Sequence, residues 1–428
     1  MLAVSVQTAE RLQEVLRKPG TTLADWNGSG AGNTVVEEVE TDGRAVRYYI
    51  NEFWTSRQRR ALALHEVPYR ACFKAELPRF FIQLLSEPGD LVYDPFAGRG
   101  TTAVEAALLH RRVTSNDINP LCEILVRPRL APPRQSQVAE RLEQVPLVHG
   151  LEAELDLSMF YHPDTESEIV ALRNYLLQRL EEGALDSVDD WIRMVATTRL
   201  TGHSSGFFSV YTFPPNQAVT QKSQRRINRK RQQAPEYRPI APRILDKSRD
   251  LLKALGRSQR EALAESNGSA MFLTEDARET HAIAPESVQL TVTSPPFLDV
   301  VQYADDNWLR CWFNSIDLAS VEVRLTMART VEAWSDVMGG VFQELYRVTR
   351  PDGWVAFEVG EVRNRKLLLE EVVVPLGLAA GFGCEGVVVN QQDFTKTSNI
   401  WGVRNNRAGT NTNRITLFHK AVERHRVH

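Results

Sequence analysis

The chain is poor in the residues that build metal centres and disulfide frameworks. Its 428 residues include four cysteines, Cys72, Cys122, Cys311 and Cys384, and no two stand in a C-x-x-C spacing. This argues against a zinc site and predicts reduced thiols. No run reaches the roughly 18 apolar residues of a membrane helix. The opening MLAVSVQTAERLQEVLRK lacks the basic start and apolar stretch of a secretion signal, which predicts a cytoplasmic protein. Excess positive charge is also missing: the net charge is −3. A surface for a polyanion must therefore be a local patch.

What is present suits an ordinary globular chain. Hydrophobic residues make up 43% and charged residues 25%, enough to predict a buried core. The length suits one large domain with an insertion, or two to three domains.

The spacing predicts a first helix from Thr8 to Arg17. The polar stretch NGSGAGNTVVEEVETDG reads as a flexible loop or a small edge hairpin. Leu77, Phe80, Phe81, Leu84 and Leu85 then recur at helical spacing. DLVYD is a first strand. The glycine-rich turn DPFAGRGTT follows, from Asp94 to Thr102, and TTAVEAALLH continues as a helix. RRVTSND is a second strand ending at Asp117. Strand, glycine turn, helix, strand and acid form a βαβ order suited to a nucleotide-type ligand.

The next strand, AMFLTED with Asp276 at its end, comes only after roughly 150 residues. Those residues are mostly helical in pattern. ESEIVALRNYLLQRLEEG places Ile169, Leu172, Leu176 and Leu180 on one face, with Gly183 as a stop. DSVDDWIRMVATTRL has Ser187 and Asp190 at capping-box spacing. The most basic stretch of the chain lies here too, with Lys222, Arg225, Arg226, Arg229, Lys230 and Arg231, then Arg238 and Arg243. VQLTVT is a fourth strand and GWVAFEVG a fifth. VEAWSDVMGGVFQELYRV between them is a helix, and GVVVN with RITLFHK reads as a closing hairpin. The expected organisation is an N-terminal helix and loop over residues 1–45 and a first catalytic segment over 46–119. A helical, partly basic insertion follows over 120–268, and a second catalytic segment over 269–428.

Two stretches carry the chemistry. In DPFAGRGTT, Gly98 and Gly100 let the backbone turn sharply and approach a ligand. The helix start at Thr101 and Thr102 offers free amides to a carboxylate or phosphate. Asp117 is placed to accept from ribose hydroxyls, and Asp276 from an adenine amine. In TSPPF, Thr293 to Phe297, the paired prolines fix a rigid turn and remove donors, leaving carbonyl acceptors. An exocyclic amine donates two protons. Ser294 and the Pro295 carbonyl can hold both, with Pro296 stiffening the turn and Phe297 offering a stacking face. Methylation at a cytosine carbon would need a cysteine nucleophile, usually after proline. The residues before the four cysteines are Ala71, Leu121, Arg310 and Gly383.

DPFAGRGTT together with TSPPF resembles the amino-group DNA methyltransferases, which make N4-methylcytosine or N6-methyladenine. Serine at the head of S-P-P-F is similar to the N4-cytosine members. HEVPYRACFKAELPRFFI resembles the family's helix over the cofactor methionine, with Phe73, Lys74 and Pro78 as matching positions. NRITLFHK resembles its final strand. The likeness covers roughly residues 46–119 and 270–421. It implies an α/β fold, a Rossmann-like seven-stranded methyltransferase sheet, here with a helical insertion.

It also implies S-adenosylmethionine as cofactor. Asp94, Phe96, Gly98, Gly100, Thr101, Thr102, Asp117 and Asp276 join Phe73 and Lys74 around it. Duplex DNA would be the partner, with the base flipped into the TSPPF pocket and methylated by direct displacement, without a metal. A cognate restriction enzyme would fit such a protein. Lys222, Arg225, Arg226, Arg229, Lys230 and Arg231 are the expected phosphate contacts. Either the insertion or the loop from Gln391 to Asn413 would read the DNA sequence. N6-adenine methylation, an RNA or protein methyltransferase, and a non-catalytic DNA-binding regulator stand as alternatives.

Overall fold

The computed structural model describes residues 12–17, 34–41, 43–54, 62–70, 72–214, 218–296, 303–324, 328, 330–359, 361–362, 367–391 and 412–422. Five parallel strands form its centre: β3 (Leu91–Asp94), β4 (Arg112–Asn116), β5 (Met271–Leu273), β6 (Val288–Thr293) and β7 (Thr349–Val359). They lie in the order β5-β4-β3-β6-β7. The hairpin of β10 (Gly383–Gln391) and β11 (Thr412–His419) follows, with β11 antiparallel to both β7 and β10. These are the seven strands that the resemblance implies. The sheet has nine, because β1 (Val35–Thr41) and β2 (Arg44–Asn51) form an antiparallel hairpin and β2 continues the sheet parallel to β10. The edge-hairpin reading of this region is the one that holds. Gly43, at a φ of 71°, supplies the turn. β8 (Glu361–Val362) and β9 (Leu367–Leu368) make a separate small ladder.

Burial explains why the centre reads so plainly in sequence. Every residue of β6 is buried, as a parallel strand covered on both faces requires. On one face lie α1 (residues 12–17), α2 (Glu76–Leu85), α3 (Thr101–Leu108) and α4 (Leu121–Leu130). The other face carries α13 (Val331–Val348) and α14 (Leu369–Ala379), with Trp334, Met338, Val341, Phe342 and Leu345 packed inward. This is an α/β arrangement of three layers, a mainly parallel sheet between two layers of helices.

Between α4 and β5 run α5 (Gln135–Gln144), α6 (Pro163–Glu181), α7 (Ser187–Arg199), α8 (Gln221–Arg231), α9 (Ile240–Leu252) and α10 (Arg257–Asn267). Trp191, Ile192, Val195 and Leu251 from these helices belong to the same apolar cluster as α2 and α3. After β6 come α11 (Tyr303–Phe313) and α12 (Leu318–Arg324).

Some local expectations shift. Ile169, Leu172 and Leu176 of α6 are buried, but Leu180 is 47% exposed, because the last turn runs past its packing partners before Gly183 ends it at a φ of 65°. The capping box of α7 is formed by Asp186 and Asp189, not by Ser187 and Asp190. Ser187 is already the first helical residue, so the cap falls one position earlier. β4 stops at Asn116 and β5 at Leu273, so Asp117 and Asp276 sit in the turns beyond.

Asn390, at the end of β10, fastens the entry to α2. Its Oδ1 accepts from the Trp54 N–H at 3.0 Å and its Nδ2 donates to the Trp54 carbonyl at 3.1 Å. Trp54 in turn packs on Phe53, Phe80 and Phe81. Replacing Asn390 with Ala strips both buried bonds, so Asn390→Ala is expected to lower unfolding stability by about 2–4 kcal/mol. Urea titration reads this directly, and an unchanged midpoint would show that the pair contributes nothing net.

Candidate active site

The chain leaves β3 toward β4 on one side, while β6 leads to β7 on the other. In open α/β sheets a ligand crevice forms at such a reversal, beyond the carboxyl ends of the strands. DPFAGRGTT and TSPPF both begin there, on neighbouring parallel strands.

The two are pinned together. Thr293 Oγ1 donates to Asp94 Oδ1 at 2.6 Å, and Thr102 Oγ1 donates to the Val292 carbonyl at 3.0 Å. Asp94 also accepts from the Phe96 N–H at 3.1 Å. Burial pushes its carboxyl up to about 7 against these bonds.

The turn needs its glycines. Gly98 has a φ of 51°, and a Cβ there would lie 3.4 Å from the Tyr69 ring. Gly100 has a φ of 71°, and a Cβ would meet Val126 Cγ2 at 2.3 Å. Only glycine lets α3 start this close to α4. No side chain caps α3, so its first amides keep no intrahelical acceptor. The hydroxyls of Thr101 and Thr102 are spent elsewhere: Thr101 Oγ1 accepts from Arg99 Nε at 3.2 Å, and Thr102 ties to β6. What this helix start offers a ligand is backbone N–H.

Arg99 clamps the covering segment. It donates to the Val67 and Phe73 carbonyls, each at 3.2 Å, so Phe73 holds the clamp with its backbone. The Lys74 carbonyl accepts from Leu77 N–H at 3.2 Å, and Pro78 is buried within α2. Asp117 accepts from the Gly98 and Asn119 N–H groups, both at 3.0 Å, and burial raises its carboxyl above the usual range. The neighbouring Cys122 thiol interacts with the same carboxyl, and the lone pair that remains can accept from a hydroxyl.

Asp276 is committed differently. Arg278 Nε and Nη2 grip its two oxygens at 3.0 and 2.6 Å, and this pairing holds its carboxyl low. The neighbouring Glu275 keeps Oε2 buried without a partner among the described residues. Asn116 fixes the Glu275 backbone through bonds of 2.9 and 3.0 Å.

Ser294 is half-buried and its neighbour Pro295 is buried. The Pro296 carbonyl is taken by Trp334 Nε1 at 3.0 Å. No described residue donates to the Pro295 carbonyl. Phe297 and most of the loop from Gln391 to Asn413 lie outside the described residues.

The sequence reading missed Glu358. It sits in β7, 6% exposed. Asn413 donates to its carboxyl, burial pushes it up to about 7, and the Ser294 hydroxyl is an electrostatic neighbour that favours the charged form. The available signal was an acid inside the apolar run GWVAFEV.

The basic run is split. On α8, Arg225 pairs with Asp156 at 2.6 Å and Arg231 lies 3.8 Å over the Tyr211 ring. Lys222, Arg226, Arg229 and Lys230 are exposed, with no ion pair among the described residues. Residues 222, 226, 229 and 230 share one helical stripe. Arg238 is not part of that surface: it is buried, paired with Glu236, and donates to the carbonyls of Ser204, Phe207 and Ser209.

Residues 31–127 match a family model described as DNA methylase. The chain is 46% identical over 50 residues to the Type II methyltransferase M.PvuII of Proteus hauseri, a match covering 12% of this chain and 15% of that protein. It thus spans a small part of the length of that curated relative. Among solved structures, a candidate DNA modification methylase from Thermus thermophilus is 21% identical, with 36% of this chain and 55% of that one covered and a TM-score of 0.23. The rRNA methyltransferase aviRa of Streptomyces viridochromogenes is 13% identical, with coverages of 84% and 90% and a TM-score of 0.33.

The raised carboxyl of Glu358 has a consequence for stability. In the folded chain it holds its proton to about pH 7, whereas an exposed glutamate loses it near 4.3. Its contribution is therefore fully present below the unfolded pKa and lost as pH rises through about 7, a change of ~3 kcal/mol. Glu358→Gln, which cannot ionise, is expected to flatten the fall in stability between those limits. Denaturation curves across this range test it, and parallel pH profiles would disprove it.

Proposed function

We propose that this protein is an S-adenosylmethionine-dependent DNA methyltransferase that methylates N4 of cytosine. The observation that carries the reading is the pinning of an S-P-P turn to a glycine turn at one strand-end crevice, with Glu358 behind Ser294. The match of residues 31–127 to the DNA methylase family supports the same class.

The crevice fits the cofactor. Its glycines hold the turn in the positive φ region that brings the start of α3 to the crevice, the amides of α3 suit a carboxylate, and Asp117 suits the ribose hydroxyls. When bound, S-adenosylmethionine supplies an electrophilic methyl group. Ser294 Oγ and the Pro295 carbonyl accept the two protons of the target amine and aim its lone pair. Gain of the methyl, with the methyl–sulfur bond breaking, would make the nitrogen acidic. Ser294 would then take the proton the nitrogen sheds while giving its own to the Glu358 carboxylate, which burial places near neutrality for that task. Phe297 stacks on the flipped base. The free stripe of α8 follows the phosphate backbone. N6-adenine methylation is the second reading, since adenine presents the same amine to the same acceptors.

Ser294→Ala and Glu358→Gln are each expected to slow the single-turnover chemical step by roughly 10²- to 10³-fold, the scale for one positioned polar group. Cofactor affinity should hold in both. The wild-type rate should rise with pH through about 7, and Glu358→Gln should lose that rise. Mass spectrometry of digested DNA identifies the methylated base. Wild-type rates in both variants would assign TSPPF to a structural turn.

For α8, neutralising Lys222, Arg226, Arg229 and Lys230 should reduce the slope of log K against log salt by about 0.9 per lost phosphate contact. Fluorescence anisotropy across a salt series measures it. An unaltered slope would make the stripe a solvated face.

A further inference from the structure

A second cationic feature lies apart from α8. Arg199 at the end of α7, with Arg243 and Lys247 on α9, lines a cavity of about 340 Å³ closed on one side by Ser205 and Gly206. Arg199 is 8% exposed. Its Nε donates to the Thr198 carbonyl at 3.1 Å and its guanidinium lies 4.0 Å over the Phe207 ring. Its two terminal nitrogens have no hydrogen-bond partner among the described residues. The Lys247 side chain is 11% exposed and its ammonium meets Glu66 only at 3.8 Å. Arg243 is held by the Ser205 and Pro239 carbonyls, both at 2.9 Å, contacts that fix its direction and leave its charge unneutralised.

Two acids also line the cavity and offset part of its charge, Asp250 acting on Arg199 and Lys247 and Asp246 on Arg243, while each also faces a cation outside it. Asp246 pairs with Arg249 at 2.6 Å and Asp250 with Lys253 at 3.8 Å. Burial and the neighbouring Arg199 lower Lys247 to about 8, and burial, with Arg310 nearby, lowers Arg199 to about 10. Arg199 and Lys247 are both largely buried, the three lining cations outnumber the two lining acids, and the lining acids also face Arg249 and Lys253, so an added anion would improve the balance. A lone charged run at a surface would show neither the cavity nor the burial.

The position suggests which anion. Glu66, beside Lys247, belongs to the segment that Arg99 clamps over the glycine turn through Val67. Arg310, buried under Tyr69, is an electrostatic neighbour of Arg199. The cavity therefore flanks the covering of the strand-end crevice, on the side of the inserted helices. A polymer with regularly spaced phosphates could reach both places.

We propose that Arg199, Arg243 and Lys247 form a phosphate-binding pocket that receives one backbone phosphodiester of the DNA substrate. This rests on the DNA methyltransferase reading and adds a fixed anchor to it. The diester carries a single negative charge and two free oxygens, which suit one guanidinium fork and one ammonium.

The test uses the full chain and a fluorescent DNA duplex. Arg243→Gln and Lys247→Gln should each weaken binding roughly tenfold, the scale for a lost charged hydrogen bond. Each should also cut the salt slope by about 0.9. Lys247→Arg, which keeps the charge, should restore most of the affinity. Circular dichroism confirms that the variants are folded. A second arm compares thermal midpoints in inorganic phosphate and in chloride at equal ionic strength. If phosphate stabilises the wild type but not the variants, while DNA affinity and slope are unchanged, the pocket takes a free anion and the DNA assignment is overturned. Unchanged behaviour in both arms overturns the pocket altogether. If the wild-type chain binds no DNA, the methyltransferase reading fails as well. Wild-type methyl transfer to DNA with unaffected variants would sink the pocket alone.

Discussion

The hydrogen bond from Thr293 to Asp94 holds the site in register. A buried carboxyl is costly, and Asp94 is tolerated because Thr293 and the Phe96 N–H donate to it. In return it locks the ends of β3 and β6 side by side. The second tie, from Thr102 to the Val292 carbonyl, fixes the start of α3 against the same strand. With these bonds in place, the start of α3, Asp117 and Ser294 come together at the carboxyl ends of β3, β4 and β6.

Charge is distributed with the same economy of position. The chain is net acidic, yet its cations gather where the proposed substrate would lie. On α8 they form an exposed stripe, able to track a flexible or sliding polyanion. In the cavity of Arg199, Arg243 and Lys247 they are enclosed, a geometry suited to one phosphate in one place. Arg238 shows that a basic run is not uniform: buried among carbonyls, it ties the start of α9 to the chain after α7 and offers nothing to a partner.

Some elements were legible residue by residue and others were not. VQLTVT reads as a strand because a doubly covered parallel strand has no polar face to confuse the pattern. The hairpin of β1 and β2 was open between loop and strand, since its outer face is exposed and acidic. Leu180 fits the helical period of α6 but lies beyond its packing partners. Asp276 looked free at a strand end, and Arg278, two residues on, takes both its oxygens. Glu358 passed unnoticed because one acid in an apolar strand signals nothing until its neighbours are known.

The amino-acid sequence by itself determined the strand–glycine turn–helix unit, the S-P-P turn and the absence of a cysteine nucleophile after proline. These follow from local rules: which residues permit a positive φ, which lack an N–H, and which period a buried face imposes. Only the tertiary structure decided that the two turns share one crevice, that Ser294 rests on Glu358, and that Arg199 meets Lys247. Each of these contacts joins segments far apart in the chain. Their existence depends on strand order and helix packing, which no local window of sequence contains.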